Sequence, residues 1–480
     1  MLMLVAACLP LASCKEIVYE ERPLFDEPEA TALGFLGYAD EQSGLTVCGQ
    51  CHVSFQRRWH DTRHAQAWET LATSPANAPL CQACHSTNSL GNVAAGTTGG
   101  YVAHADARYE DVQCESCHGP GLEHVQSPTR NTWPLASIAV GPTLESGCGE
   151  CHSGTHQPFV EQWASSGHAT VQASRATNPD CIGCHRAQDV LRVWGVKSEY
   201  REKSSATEHL PVTCPVCHDP HDATNPKQLR APIDVANEDE NLCMKCHHKR
   251  GGPDTLTFRG PHSPQGPLLL GTAGWRPPNM QQAPGTIVAT HGSAANPRLC
   301  AGCHVNQWEV RDALTGQFVF RSTGHTFQAI PCVDAEGIPT TAQDCGETNL
   351  AQRSFRACAV SGCHGSEAVA RSLVVLVRDR LSTLAAGVDE LLEQVQPSWK
   401  TCRNNDRCPA GSEFNSKDGR YTTAEGSAFN FDLATASAGS AIHNPWLVEA
   451  LLRASIRQIE LDYALTAPAG LSLEQQLGPR

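Results

Sequence analysis

Val112-Gln-Cys114-Glu-Ser-Cys117-His118-Gly-Pro-Gly-Leu-Glu-His124 contains the string that decides the reading of this chain: two cysteines two residues apart, followed at once by a histidine. The same form recurs at Cys48/Cys51/His52, Cys81/Cys84/His85, Cys148/Cys151/His152, Cys181/Cys184/His185, Cys214/Cys217/His218, Cys243/Cys246/His247 and Cys300/Cys303/His304. The eight strings take 16 of the 24 cysteines in 480 residues. Chance at this Cys and His content would supply about 0.06 of them.

In a CxxCH string the two thiols add to haem vinyl groups as thioethers, and the adjacent histidine becomes the proximal ligand of the iron. Zinc is the main rival, but zinc sites need two CxxC pairs or one pair with a spaced histidine pair. Eight strings that each end in histidine favour haem c. A ninth site is expected at Cys358-Ala-Val-Ser-Gly-Cys363-His364, where the loop is two residues longer but keeps its Cys-His ending. This widened form resembles the haem motifs of tetrahaem cytochromes c3. The reading is about nine covalent haems, with His52, His85, His118, His152, His185, His218, His247, His304 and His364 as proximal ligands.

Aligning the first three strings with the next three shifts every first cysteine by 100, from 48 to 148, 81 to 181 and 114 to 214. The chain is internally duplicated. Trp59-His-Asp-Thr-Arg-His64-Ala recurs as Trp163-Ala-Ser-Ser-Gly-His168-Ala, and Phe320-Arg-Ser-Thr-Gly-His325-Thr reads as a third, divergent copy. Their histidines are the leading candidates for distal ligands. His124, His156, His221, His262, His291 and His443 complete a set of nine, with His104 and His209 in reserve and His60 and His248 last. Of 22 histidines, nine proximal assignments leave 13. The mature chain keeps only Met244 and Met280, so bis-histidine, low-potential haems are expected.

The expected fold is mostly α with extensive loops, in which stacked haem pairs replace an apolar core; aromatics are only 6 % of residues, against 39 glycines and 31 prolines. The boundaries read as a signal peptide at 1–14, an N-terminal segment at 15–45, and haem modules at 46–145, 146–250 (with the seventh haem) and 251–365. A helical region covers 366–480. In that region Leu373, Val377, Leu381, Leu384, Val388, Leu391 and Val395 share a face expected to pack on the haems. Asn444 suits an N-cap and Pro445 a first helical position, which puts His443 at the mouth of a second helix. Cys332, Cys345, Cys402 and Cys408 fit structural disulfides in an oxidising compartment, 332–345 and 402–408 being one pairing that the sequence leaves open.

A net charge of −14 argues against a nucleic-acid partner. Leu11-Ala12-Ser13-Cys14 resembles a lipobox, making Cys14 the lipidated residue of a protein anchored in a bacterial envelope; Lys15 after it leans towards outer-membrane sorting. The Trp59, Val112 and Cys214-Pro-Val-Cys-His-Asp-Pro-His221 strings resemble the tetrahaem cytochrome c-554 family and its wider relatives, including hydroxylamine oxidoreductase and octahaem reductases. The resemblance covers about residues 46–365, and His443-Asn-Pro resembles a C-terminal ligand helix of that superfamily. It implies closely packed haem pairs. The expected function is extracytoplasmic electron transfer among redox proteins, other multihaem cytochromes or an external acceptor, with assembly into a homopolymer as an added property. A reductase or oxidase of small nitrogen or sulfur compounds at one open iron is the alternative. No CxxCK string marks a catalytic haem, so no catalytic residue is assigned.

Overall fold

The computed structural model describes residues 34–471 apart from 93–98, 141–146, 155, 197–208, 256–258, 341–344, 347–348, 361, 405–407, 410, 416–417, 436–439 and 469–470. The expected lipidation site at Cys14 lies outside the described residues. The protein is mostly helical with long loops and little strand. Two small antiparallel hairpins are its only named sheets among the described residues. One joins β1 (Tyr38–Asp40) to β2 (Leu45–Thr46), and the other joins β3 (Trp308–Arg311) to β4 (Phe318–Ser322), with Val310 opposite Phe320.

Each regular motif coils because its spacing closes one helical turn. The His52 amide donates to the Cys48 carbonyl at 2.8 Å, and the same bond joins His152 to Cys148, His218 to Cys214 and His247 to Cys243 at 2.9–3.0 Å. In the widened motif His364 reaches back to the Cys358 carbonyl at 3.2 Å, so the ends of the longer loop still meet.

The duplication has a structural basis in α1 (Val53–His60), α2 (Ala67–Ala72) and α3 (Phe159–Ala164). Trp59 at the end of α1 donates from Nε1 to the Val112 carbonyl, and the Val112 amide donates to the His64 carbonyl. Trp163 on α3, Val212 and His168 make the same two bonds. Each tryptophan therefore clamps its following histidine to the strand that leads into the third motif of its repeat.

Among the described residues up to 365, the apolar clusters are small and separate, while Leu268 and Ala273 join the C-terminal cluster. One small cluster, of Ile138, Ala187, Val190, Leu191, Leu210 and Val216, borders a cavity of about 4290 Å³. The C-terminal region differs from expectation here. Helices α4 (Glu367–Val395), α5 (Thr423–Thr435) and α6 (Pro445–Tyr463) pack on one another around Leu381, Leu384, Val388, Leu391, Leu433, Leu447 and Leu451. The apolar face of α4 is thus covered mainly by α5 and α6, with Leu268 and Ala273 of the third haem module in the same cluster. At 29 residues α4 is about 43 Å long. Leu373, expected on the buried face, is 40 % exposed, because α5 and α6 cover the other end.

The 265–287 loop ties this bundle to the rest. Trp275 and Asn430 exchange two hydrogen bonds of 2.8 Å, and the Trp275 ring lies so close to Gly426 that a Cβ there would meet it. Cys332–Cys345 and Cys402–Cys408 are disulfide-bonded.

Candidate haem-binding array

Eight proximal histidines each face a second imidazole. His52 faces His124, His118 faces His221, His152 faces His64, His185 faces His262, His218 faces His325, His247 faces His168, His304 faces His443 and His364 faces His291, with ring centroids 6.0–6.3 Å apart. That separation is too wide for ring contact and fits one metal. An imidazole nitrogen sits about 2.0–2.1 Å from a first-row metal ion, which puts the centroids of two axial rings about 6.2 Å apart. The interplanar angles run from 8° to 71°. Rotation about the axis leaves the fit unchanged.

The opposite ring nitrogens explain how the rings are aimed. His85, His118, His218 and His304 donate from Nδ1 to the carbonyls of Ala67, Pro134, Lys227 and Phe327 at 2.6–2.9 Å, and His291 does so to Ile442. His152 donates to Gln157 Oε1 and His247 to Gln265 Oε1. A carbonyl can only accept, so the proton is fixed on Nδ1 and Nε2 keeps its lone pair for a metal. Burial holds His64, His168 and His325 down to about 4, which keeps them neutral and able to ligate.

Several facing rings come from different repeats, while His52 and His124 belong to the same one. His64 of the first repeat meets His152 of the second, His168 of the second meets His247, and His291 meets His364. In the opposite direction His221 reaches back to His118, His325 to His218 and His443 to His304. His64, His168 and His291 all sit on short 3-10 turns. His325 follows β4 instead and serves the backward-reaching set. The Phe320 string is therefore not a third equivalent of the Trp59 element; His291, which lacks the aromatic signal, takes that place. The histidine before α6 is held by Asn444, whose Oδ1 caps Leu447 while its Nδ2 donates to Leu268 and Ile287.

His156 and His85 both line the large cavity, but His156 is exposed and the two are not among the facing pairs. His248, ranked last, bonds the Met244 carbonyl, and the reserve residue His209 accepts from Arg186. Among the described residues no cluster of three His, Cys, Asp or Glu side chains forms a bare-metal site.

The motifs also touch in a definite order. Cysteine side chains meet between the first and third motifs (Cys48, Cys114), the second and fourth (Cys84, Cys151) and the fourth and sixth (Cys148, Cys214). They also meet between the fifth and seventh (Cys184, Cys246) and the seventh and eighth (Cys243, Cys300). Cys117 neighbours Cys151, Cys217 neighbours Cys243, and Cys303 neighbours Cys363. The series first, third, fourth, sixth, seventh, eighth, ninth is continuous, with the second and fifth motifs at its sides.

The cavity lies along the eight regular motifs and is several times the roughly 300–1,000 Å³ of an ordinary ligand pocket. Residues 47–119 match the family model "Cytochrome c554 and c-prime", and residues 209–252 match the doubled CXXCH motif. The multiheme cytochrome MtrA of Shewanella baltica is 26 % identical over 200 residues, which is 38 % of this chain. The chain is a multihaem c-type cytochrome. The matched part spans 55 % of the MtrA relative's length. No solved structure matches this cytochrome.

Proposed function

We propose that this cytochrome conducts electrons outside the cytoplasm through about nine covalently held haems. The observation that carries the reading is the set of eight imidazole pairs at metal-spanning separation, on motifs whose cysteines meet or neighbour one another along the chain of motifs. Haem c, when bound, supplies reversible one-electron chemistry at iron. In each of these positions the two facing imidazoles would hold the iron and leave no site for substrate, as a carrier requires. The cysteines of the nine motifs would hold the groups, with the nine proximal histidines on one side and His124, His221, His64, His262, His325, His168, His443 and His291 on the other. The fifth motif, equivalent to the second, has His185 facing His262, and His156, six residues from the position 100 before His262, is the histidine we propose for His85.

A second reading rests on His85. Among the described residues no imidazole faces it at the separation found elsewhere, and an iron left open there would reduce or oxidise a small nitrogen or sulfur compound. The resting spectrum separates the two. An entirely low-spin protein with about nine haem mass increments and no turnover of nitrite or hydroxylamine supports the carrier. A high-spin fraction near one iron in nine, perturbed by nitrite, refutes it.

The proposed place is the bacterial cell envelope, lipid-anchored at Cys14 in the outer membrane, with redox proteins, other multihaem cytochromes or an external acceptor as partners. This is supported by the lipobox-like Leu11-Ala12-Ser13-Cys14 and by haem motifs of a kind made outside the cytoplasm. Among the described residues no helix is long and apolar enough to cross a membrane. Fractionating Cys14→Ser cells tests the anchor: the protein should leave the membrane fraction, and unchanged retention refutes it.

A further inference from the structure

The fifth motif stands beside the main series, touching it only at the seventh through Cys184 and Cys246 among the contacts described above. Its surroundings are cationic in a chain of net charge −14. Arg175, on the helix turn before the motif, acts electrostatically on both His185 and His262. Lys249 and Arg250 act on His262, and Lys249 also on Cys184. Arg259 neighbours Arg250. All four cations line the cavity mouth with Asp180 and Asp254, and Arg175, Lys249 and Arg259 are exposed.

Most arginines elsewhere are neutralised, as in Arg58–Asp222, Arg230–Asp219, Arg403–Asp432 and Arg453–Glu449. Among the described residues Arg175, Lys249 and Arg259 take part in no ion pair. Around the second motif, the other side position, carboxylates rather than cations lie nearby, half-buried and hydrogen-bonded. Ser86 bridges Glu110 beside Asp111, and Glu150 accepts from the Gly91 amide. The two side positions are thus distinguished by charge, and exposed unpaired cations at one of them create a field that steers and orients an anionic surface.

We propose that the collar of Arg175, Lys249, Arg250 and Arg259 around the fifth motif is a docking surface for an acidic electron-carrier protein. The proposal rests on the electron-transfer reading. It makes the fifth motif a lateral port rather than a link in the series. Charge complementarity selects the partner, because a basic protein would meet like charges there.

The test uses the full-length, haem-loaded protein with oxidised flavodoxin as the acidic probe and lysozyme as a basic control, binding being measured by calorimetry at low and high salt. The triple variant Arg175→Glu/Lys249→Glu/Arg259→Glu should weaken flavodoxin binding by about tenfold or more. The variant Arg57→Glu/Arg311→Glu/Arg420→Glu, with the same change in net charge, should change it less than about twofold. Wild-type binding should weaken as salt shortens the screening length. The haem count and circular dichroism of each variant check folding, and the single change Lys249→Glu, expected to act in the same direction, covers a triple variant that does not fold. Equal loss in both charge sets, tighter lysozyme than flavodoxin binding, or unchanged flavodoxin affinity with an altered fifth-haem spectrum would overturn the proposal; the last outcome would mean that the cations serve only that haem's own carboxylates. Failure of dithionite to reduce the wild-type array would instead defeat the electron-transfer reading, whatever the binding results.

Discussion

Replacing His64 by alanine is the sharpest test of the array, because the residue sits 12 positions after His52 yet faces His152 of the next repeat, with centroids 6.2 Å apart. Only one ring is lost, so the expected effect is one high-spin iron in about nine, with every covalent haem retained. The missing ring leaves a space opposite His152 that matches a free imidazole, so adding imidazole should restore the low-spin spectrum. The location of the opened iron is read by combining substitutions. With His152→Ala the double variant should still perturb about one iron, because both changes strike the same position; with His52→Ala it should perturb about two. Electronic absorption and electron paramagnetic resonance count the irons, and denaturing mass spectrometry counts the haems. Two perturbed irons for His64→Ala/His152→Ala and one for His64→Ala/His52→Ala would show that ligation stays within the repeat, and would refute the pairing across repeats.

Other outcomes follow from single residues. Asn444→Ala removes an N-cap and strands the buried Leu268 and Ile287 carbonyls; it should cost about 2–4 kcal/mol in thermal unfolding and turn the His304 iron high-spin as His443 loosens. Glu115, buried while accepting from the amides of Leu36, Gly37 and Gly121, is pushed by burial from 4.5 to about 7. The folded state therefore binds more protons between those values, so stability should fall as pH rises from about 4.5 to 7, and Glu115→Gln should flatten that slope in pH-dependent denaturation. Cys363→Ala should lower the haem count by one in mass spectrometry; an unaltered count would show that the widened motif holds no haem.

Motif positions, the duplication and the capped helix after His443 were legible because each depends on residues close in sequence. The Trp59 and Trp163 strings were legible for the same reason: one tryptophan, one valine and one histidine make a local clamp. Which imidazole meets which was not legible, since the pairing is set by how successive repeats are offset in space, and no local pattern distinguishes His291 from His325 in that respect. The spacing on α4 correctly marked a face to be covered, but periodicity reports burial without naming the cover. Leu433 of α5 and Leu447 and Leu451 of α6, all far along the chain from α4, decided that point.

The exchange of imidazoles between neighbouring repeats restricts how such a chain can lengthen or shorten over generations. A repeat inserted anywhere in the row must arrive with one histidine for the unit before it and another for the unit after it, so growth by whole units is silent while a partial unit leaves widowed irons on both sides. Either end needs an irregular terminator. His124, folded back within its own repeat onto His52, closes the beginning, and His443, latched by Asn444 on a helical bundle that carries no CxxCH motif, closes the other flank. Severing the chain between the repeats should then yield two halves that are each incomplete at the cut, and whose missing ligands are found only in the other half.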